Sequence, residues 1–180
     1  MWFMSIYLKA GLFAGFIVGL VVVAIFLRFT KTDGDSKCKY DERQSNIRGK
    51  AYKLSFFTLM IYNVLYGFVD MTVEKPLLDT ISAMVIGICL SITVNIVYCI
   101  WKDAYFSLNE NPRKVLIGFG FIGIFNLVIG CINIINGTFV TNGMVNFRSC
   151  NLTCGIMFIV LFATLLAKKV RYGKGEQEAA

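Results

Sequence analysis

The side chains able to carry chemistry in this chain are six cysteines, two carboxylates in a short basic loop, a glycine-rich hexapeptide and a set of carboxamides at helical spacing. Cys150 and Cys154 stand four apart on one helical face, a poor arrangement for bonding each other. Both can turn toward Cys131, so Cys131, Cys150 and Cys154 form a candidate outer thiol cluster. Cys89 and Cys99 fall inside an apolar run, and Cys38 in a basic segment. A redox centre would more readily show Cys-x-x-Cys, which is absent. Buried thiols acting as small apolar residues are the leading reading, with a structural outer disulfide next. Asp103 and Glu110 invite an acid-base reading, but Lys102, Arg113 and Lys114 flank them on a loop expected to be solvated, which favours a structural role.

Gly118-Phe119-Gly120-Phe121-Ile122-Gly123 matches the GxGxxG dinucleotide pattern in form only. That pattern needs free amides between a strand and a helix start, whereas this one lies inside an apolar run expected to be helical. Better organised are Gly123, Asn126, Gly130, Asn133 and Gly137, whose steps of 3, 4, 3 and 4 keep them on one helical sector. Asn63 and Asn95, the latter near Ser91 and Tyr98, are candidate partners for that face. Two uses follow, helix packing or a small polar site, and the absence of any ionisable residue in mid-run favours packing. With no His in the chain, His-ligated zinc and haem sites and Ser-His-Asp catalysis cannot be built from it. No catalytic, cofactor-binding or metal-binding residue is assigned, and the expectation is of no cofactor and no enzyme.

The elements that must position these residues follow from composition. The chain has 180 residues, 57% hydrophobic and 16% charged, against roughly 45 to 50% apolar and about 25% charged in a soluble domain. Apolar runs at 10–27, 54–69, 80–101, 115–135 and 150–167 reach or approach the roughly 20 residues that cross a bilayer. In lipid every backbone amide must be bonded within its own segment, so the runs are expected to be helices. The expected fold is an all-α integral membrane bundle: one membrane domain over 1–180 with five transmembrane helices.

Orientation follows from lysine and arginine, which accumulate on the cytoplasmic side of short loops. Fifteen of the 18 fall in the loop 28–53, in the loop between the third and fourth runs, or in the tail 168–180. Only Lys9, Lys75 and Arg148 fall opposite. The N-terminus is therefore expected outside and the C-terminus inside. The first run is longer than a typical signal-peptide core and is followed by Arg28-Phe29-Thr30-Lys31, which offers no small-residue cleavage site. The net charge of +7 then matches anionic inner-leaflet headgroups, and no nucleic-acid partner is needed.

Within the basic loop, Asp41 and Gln44 have capping-box spacing, so a helix starting there would run into the second span. The juxtamembrane motif Asp41, Glu42, Arg43, Gln44, Arg48 and Lys50 reads as a capped helix against headgroups, or as a docking patch for a partner. Asn111 followed by Pro112 marks the start of the fourth span, with Tyr105 and Phe106 expected in the interface. Gly11, Gly15 and Gly19 make a doubled GxxxG in the first span, a signal for close packing within the chain or with a second copy. Asn136 and Asn151 head glycosylation sequons that matter only in a eukaryotic secretory route.

DERQSNIRGKAYKLSFF at 41–57, WKDAYFSLNENPRK at 101–114 and NFRSCNLTCG at 146–155 together resemble a family of small multi-spanning membrane proteins of Gram-positive bacteria. That family carries a DERQxxIRGKA juxtamembrane motif in a domain of unknown function, and the similarity runs over residues 41–170. The resemblance implies four or five helices and a plasma-membrane location, and transfers no catalytic residue. Three functions compete: a non-enzymatic accessory, immunity or stress-related membrane component, partnered by another membrane protein or a second copy; a small transporter or channel using the Asn and Gly face; and a thiol-based membrane redox protein.

Overall fold

The structure, a computed structural model, describes residues 6–32 and 38–178. Five helices account for most of them: α1 (Ile6–Phe29), α2 (Glu42–Thr72), α3 (Thr80–Trp101), α4 (Pro112–Ile135) and α5 (Ser149–Glu178). The 22 residues of α3 rise about 33 Å at 1.5 Å per residue, close to the ~30 Å of a hydrocarbon core. Four helices, α2 to α5, are long and apolar enough to cross a membrane. In α1 the apolar stretch found among the described residues, Ile17–Phe29, is shorter.

Two helices outrun the apolar segments that announce them. The second run was expected at 54–69, yet α2 has 31 residues because its capping box is formed: Asp41 accepts from the Gln44 amide and Gln44 from that of Asp41. Likewise α5 continues past 167 to Glu178, so most of the expected tail is helical. The all-α expectation acquires one addition, a two-stranded antiparallel hairpin of β1 (Val140–Thr141) and β2 (Met144–Val145). Asn142 and Gly143 turn it with positive φ, 54° and 80°, as a type I′ hairpin requires.

The membrane-length helices form a row in the order α2, α3, α5, α4, so that α3 packs on α5 and not on its sequence successor. All connections gather at two ends. At one, the Thr32 amide donates to the Asn109 carbonyl at 3.0 Å and the Asn111 amide to Thr30 at 2.9 Å, joining the segment after α1 to the loop before α4. At the other, Asp79 and Val145 bond at 2.8 Å, and Ser149 Oγ donates to Ser82 Oγ at 2.9 Å. The first end carries Arg43, Arg48, Lys102, Arg113, Lys114, Lys168 and Lys169; Arg148 lies at the second.

The seam between α4 and α5 is the tightest. Gly120, Gly123 and Gly130 present a flat strip, against which Phe162, Ile159 and Leu152 lie close enough to meet any added methyl group. Gly155 on α5 returns the arrangement, lying against the backbone of Leu127. The buried core of Ile100, Val115, Phe119, Leu161 and Leu165 sits at the basic end, where Tyr105 and Phe106 pack against it. The two rings are half-buried, the Tyr105 centroid 6.1 Å from that of Phe119.

Candidate functional site

The basic end holds the most built polar arrangement among the described residues, and its parts come from four separated stretches of chain. At its centre is the C-terminus of α3. Backbone amides just past the helix take up its Tyr98, Cys99 and Ile100 carbonyls, and side chains take up the carbonyls of the turn that follows. Arg43 donates to the carbonyls of Lys102 and Asp103, both at 3.4 Å. Gln44 donates to Asp103 and Phe106, both at 3.2 Å, and Arg48 to Ala104 at 3.4 Å. From α5, Lys168 reaches the Ile100 carbonyl and the Asp103 carboxylate, the latter at 2.6 Å. Cations at a helix C-terminus also meet its negative dipole end, worth about 0.3 to 1 kcal/mol each when exposed. The juxtamembrane motif is thus spent largely within the chain, with Lys50 exposed.

Beside it lies a buried ion pair. Lys31 Nζ donates to Ser107 Oγ at 3.1 Å and Cys38 Sγ at 3.0 Å, and stands 3.6 Å from Glu110 Oε1. Ser107 donates onward to Asn109 Oδ1 at 2.9 Å. The Lys31 side chain is 1% exposed and that of Glu110 13%. The loop expected to be solvated is therefore largely buried at Ala104, Ser107, Asn109 and Glu110, because it folds onto the segment after α1. Asp103 and Glu110 are each held by a lysine from a different element, Lys168 and Lys31. Every fully buried side-chain nitrogen and oxygen among the described residues has a partner, as a stable polar network demands.

Two tyrosines complete this end. The Arg48 guanidinium lies 4.1 Å from the Tyr40 ring centroid, within the range of a cation–π contact. Burial pushes the Tyr40 phenol above its ordinary value, with Arg48 opposing, and burial does the same to Tyr105. Both phenols stay protonated and neutral through the physiological range.

The carboxamides do not converge. Gly123 and Gly130 face α5, whereas Asn126 donates to Ile122 of its own helix at 2.9 Å. Asn133 reaches the Arg148 carbonyl just before α5 at 3.4 Å. Gly137, expected to prolong the stripe, has left the helix: with φ +66° it follows the C-cap Asn136, the usual place for a left-handed glycine. Asn95 belongs to the seam between α2 and α3, donating to Ser55 Oγ at 3.5 Å, and Asn63 is exposed on α2. Asn95, Asn126 and Asn133 thus bond to three different places, α2, their own helix and the segment before α5.

The thiols also pair differently from the expected outer cluster. Cys154 meets Cys89 across the α3 and α5 seam, the sulfurs 3.9 Å apart, while Cys131 is exposed and Cys150 half-buried. All six cysteines are free. An eleven-residue spacing lets a helix return to the same face, so Cys89 and Ile100 both point to α5, but a cross-helix pair leaves no spacing signal in sequence. No group of three or more metal-ligating side chains occurs among the described residues. In span one, Gly19 has open space around it; the surroundings of Gly11 and Gly15 lie outside the described residues. Asn136 is exposed and Asn151 half-buried in the first turn of α5. The arrangement must be read from its own geometry, since comparison with known proteins finds no matching family model, curated protein or solved structure.

Proposed function

We propose that the chain is a plasma-membrane protein with five spans, N-terminus outside and C-terminus inside, and that it acts without catalysis as an accessory component of the membrane; its resemblance to small Gram-positive membrane proteins supports the location and supplies no activity. The observation that carries the reading is the gathering of the basic residues on one platform at one end of a helical row. Positive loops stay cytoplasmic, and a platform whose polar groups are already mutually bonded suits a rigid contact surface. Its outward cations, Lys50 and Lys53 on α2 among them, face anionic headgroups or the acidic surface of a membrane protein partner. α1 serves as the fifth span, anchored to the platform through Thr30 and Thr32.

A transport role through the Asn and Gly face is the weaker reading, because Asn126 bonds its own helix and the glycines are filled by α5. Complementation separates the two. In a deletion strain, Asn126→Ala and Asn133→Ala should preserve whatever phenotype the wild-type protein restores, whereas Lys50→Gln with Lys53→Gln should lose it at unchanged abundance. Loss in the Asn variants at normal abundance, with the Lys variants intact, would reverse the assignment. Co-purification in mild detergent, compared between wild type and the Lys variants, then identifies the partner.

A further inference from the structure

At the basic end the start of α4, the end of α3 and the last turns of α5 enclose an open cavity of about 830 Å³. Its inner wall is hydrocarbon from Ile100, Leu116 and Leu165, continuous with the buried core. Three cations, Arg113, Lys168 and Lys169, line the same space. Lys168 is fixed there by the Ile100 carbonyl and the Asp103 carboxylate. Arg113 and Lys169 are exposed, and their side chains make no hydrogen bond or ion pair among the described residues. Two carboxylates also border the cavity, but Asp103 is paired with Lys168 and Glu110 with Lys31. The uncompensated charge is that of Arg113 and Lys169.

We propose that this cavity binds an anionic phospholipid, its phosphodiester between Arg113 and Lys169 and an acyl chain along Ile100, Leu116 and Leu165. The proposal rests on the membrane reading above, which puts the cavity at headgroup depth in the inner leaflet. A phosphate alone would match the cations and leave the apolar wall to water; an acyl chain alone would leave the cations without a counter-charge. An amphiphile satisfies both, and basic pockets between transmembrane helices on the cytoplasmic side suit such headgroups. Arginine adds a planar fork for two phosphate oxygens, which a lysine cannot supply.

The test is equilibrium binding of pyrene-labelled phosphatidylglycerol and phosphatidylcholine to the full-length protein in mild detergent. Phosphatidylglycerol should bind at least about tenfold more tightly, since each cation near the surface contributes about a factor of five. Arg113→Gln with Lys169→Gln should weaken phosphatidylglycerol by about 10- to 30-fold and phosphatidylcholine, whose phosphodiester is countered by its own choline, by less than about threefold. Lys75→Gln with Arg148→Gln, which removes the same charge from exposed positions at the opposite end, should change binding less than about twofold. Equal losses in the two double variants would reduce the effect to diffuse attraction and overturn the site. Equal affinity for both lipids would overturn it too, and displacement by millimolar inorganic phosphate or glycerol phosphate would assign the cavity to free phosphate. Resistance of the protein to carbonate extraction from membranes reports on the membrane reading separately, whatever the lipid result.

Discussion

The reciprocal glycines of the α4 and α5 seam give a prediction whose sign and additivity both follow from geometry. A Cβ on Gly130 would stand 2.9 Å from the Leu152 Cα and 3.0 Å from its amide nitrogen; one on Gly155 would stand 2.8 Å from the Leu127 nitrogen. Carbon atoms rest about 3.5 to 4.0 Å apart, and the obstacle is backbone, so no rotamer change relieves it. Each alanine must push the two helices apart by roughly 0.5 to 1 Å, a gap that forfeits a quarter to a half of each contact it opens. Overpacking of this kind costs about 1 to 3 kcal/mol. Because one displacement relieves both collisions, Gly130→Ala with Gly155→Ala should cost less than the sum of the singles, by about 0.5 kcal/mol or more. Gly49→Ala, at an exposed position with nothing within 4 Å, should instead stabilise α2 by about 0.5 to 1 kcal/mol through helix propensity. Reversible unfolding in mixed micelles with a denaturing detergent, followed by helical circular dichroism, measures all four. Neutral behaviour at Gly130 and Gly155, or strict additivity of the pair, would refute the close crossing.

Other consequences follow from the same structure. In membranes treated with a thiol oxidant, Cys89 and Cys154 should cross-link, shown by proteolysis and non-reducing electrophoresis; a Cys131 to Cys154 link in their place would contradict the α3 and α5 seam. Lys31→Met leaves Glu110 without its buried cation and should cost about 3 to 5 kcal/mol, while Lys31→Met with Glu110→Leu should recover most of it; equal loss in both would show that the pair's charges are not what matters. Asn63 is exposed midway along the apolar part of α2, so it meets detergent in both the folded and the unfolded state and Asn63→Leu should change stability by less than about 0.5 kcal/mol. A larger fall would show that a partner covers the amide.

Local signals were the most readable in the sequence. Asp41 with Gln44 and Asn111 with Pro112 mark helix starts because capping is settled within a few residues. The run lengths announce α2 to α5 because hydrocarbon thickness sets a length that composition alone can meet. What depends on the order of helices in space was hidden. Cys89 meets Cys154 and Lys31 meets Glu110 across 65 and 79 intervening steps of sequence, and no periodicity within one segment reports which segment lies opposite. The Asn and Gly stripe shows the boundary clearly. Gly123 and Gly130 do share a packing face, as their spacing implies, yet Asn126 finds its partner four residues back in its own helix. An amide in a helix always has that choice, so spacing alone does not separate a polar path from a satisfied side chain.

The central claim is that the platform end faces the cytoplasm and the hairpin end lies on the other side of the membrane. Cys38 is exposed at that end, and Asn142 is exposed at the tip of the opposite hairpin. Two variants, one keeping Cys38 alone and one carrying Asn142→Cys with the other cysteines replaced, are treated with a membrane-impermeant maleimide on intact cells. The account predicts labelling of the Asn142→Cys variant at once and of Cys38 only after permeabilisation. Labelling of Cys38 in intact cells, or protection of both positions, would contradict it.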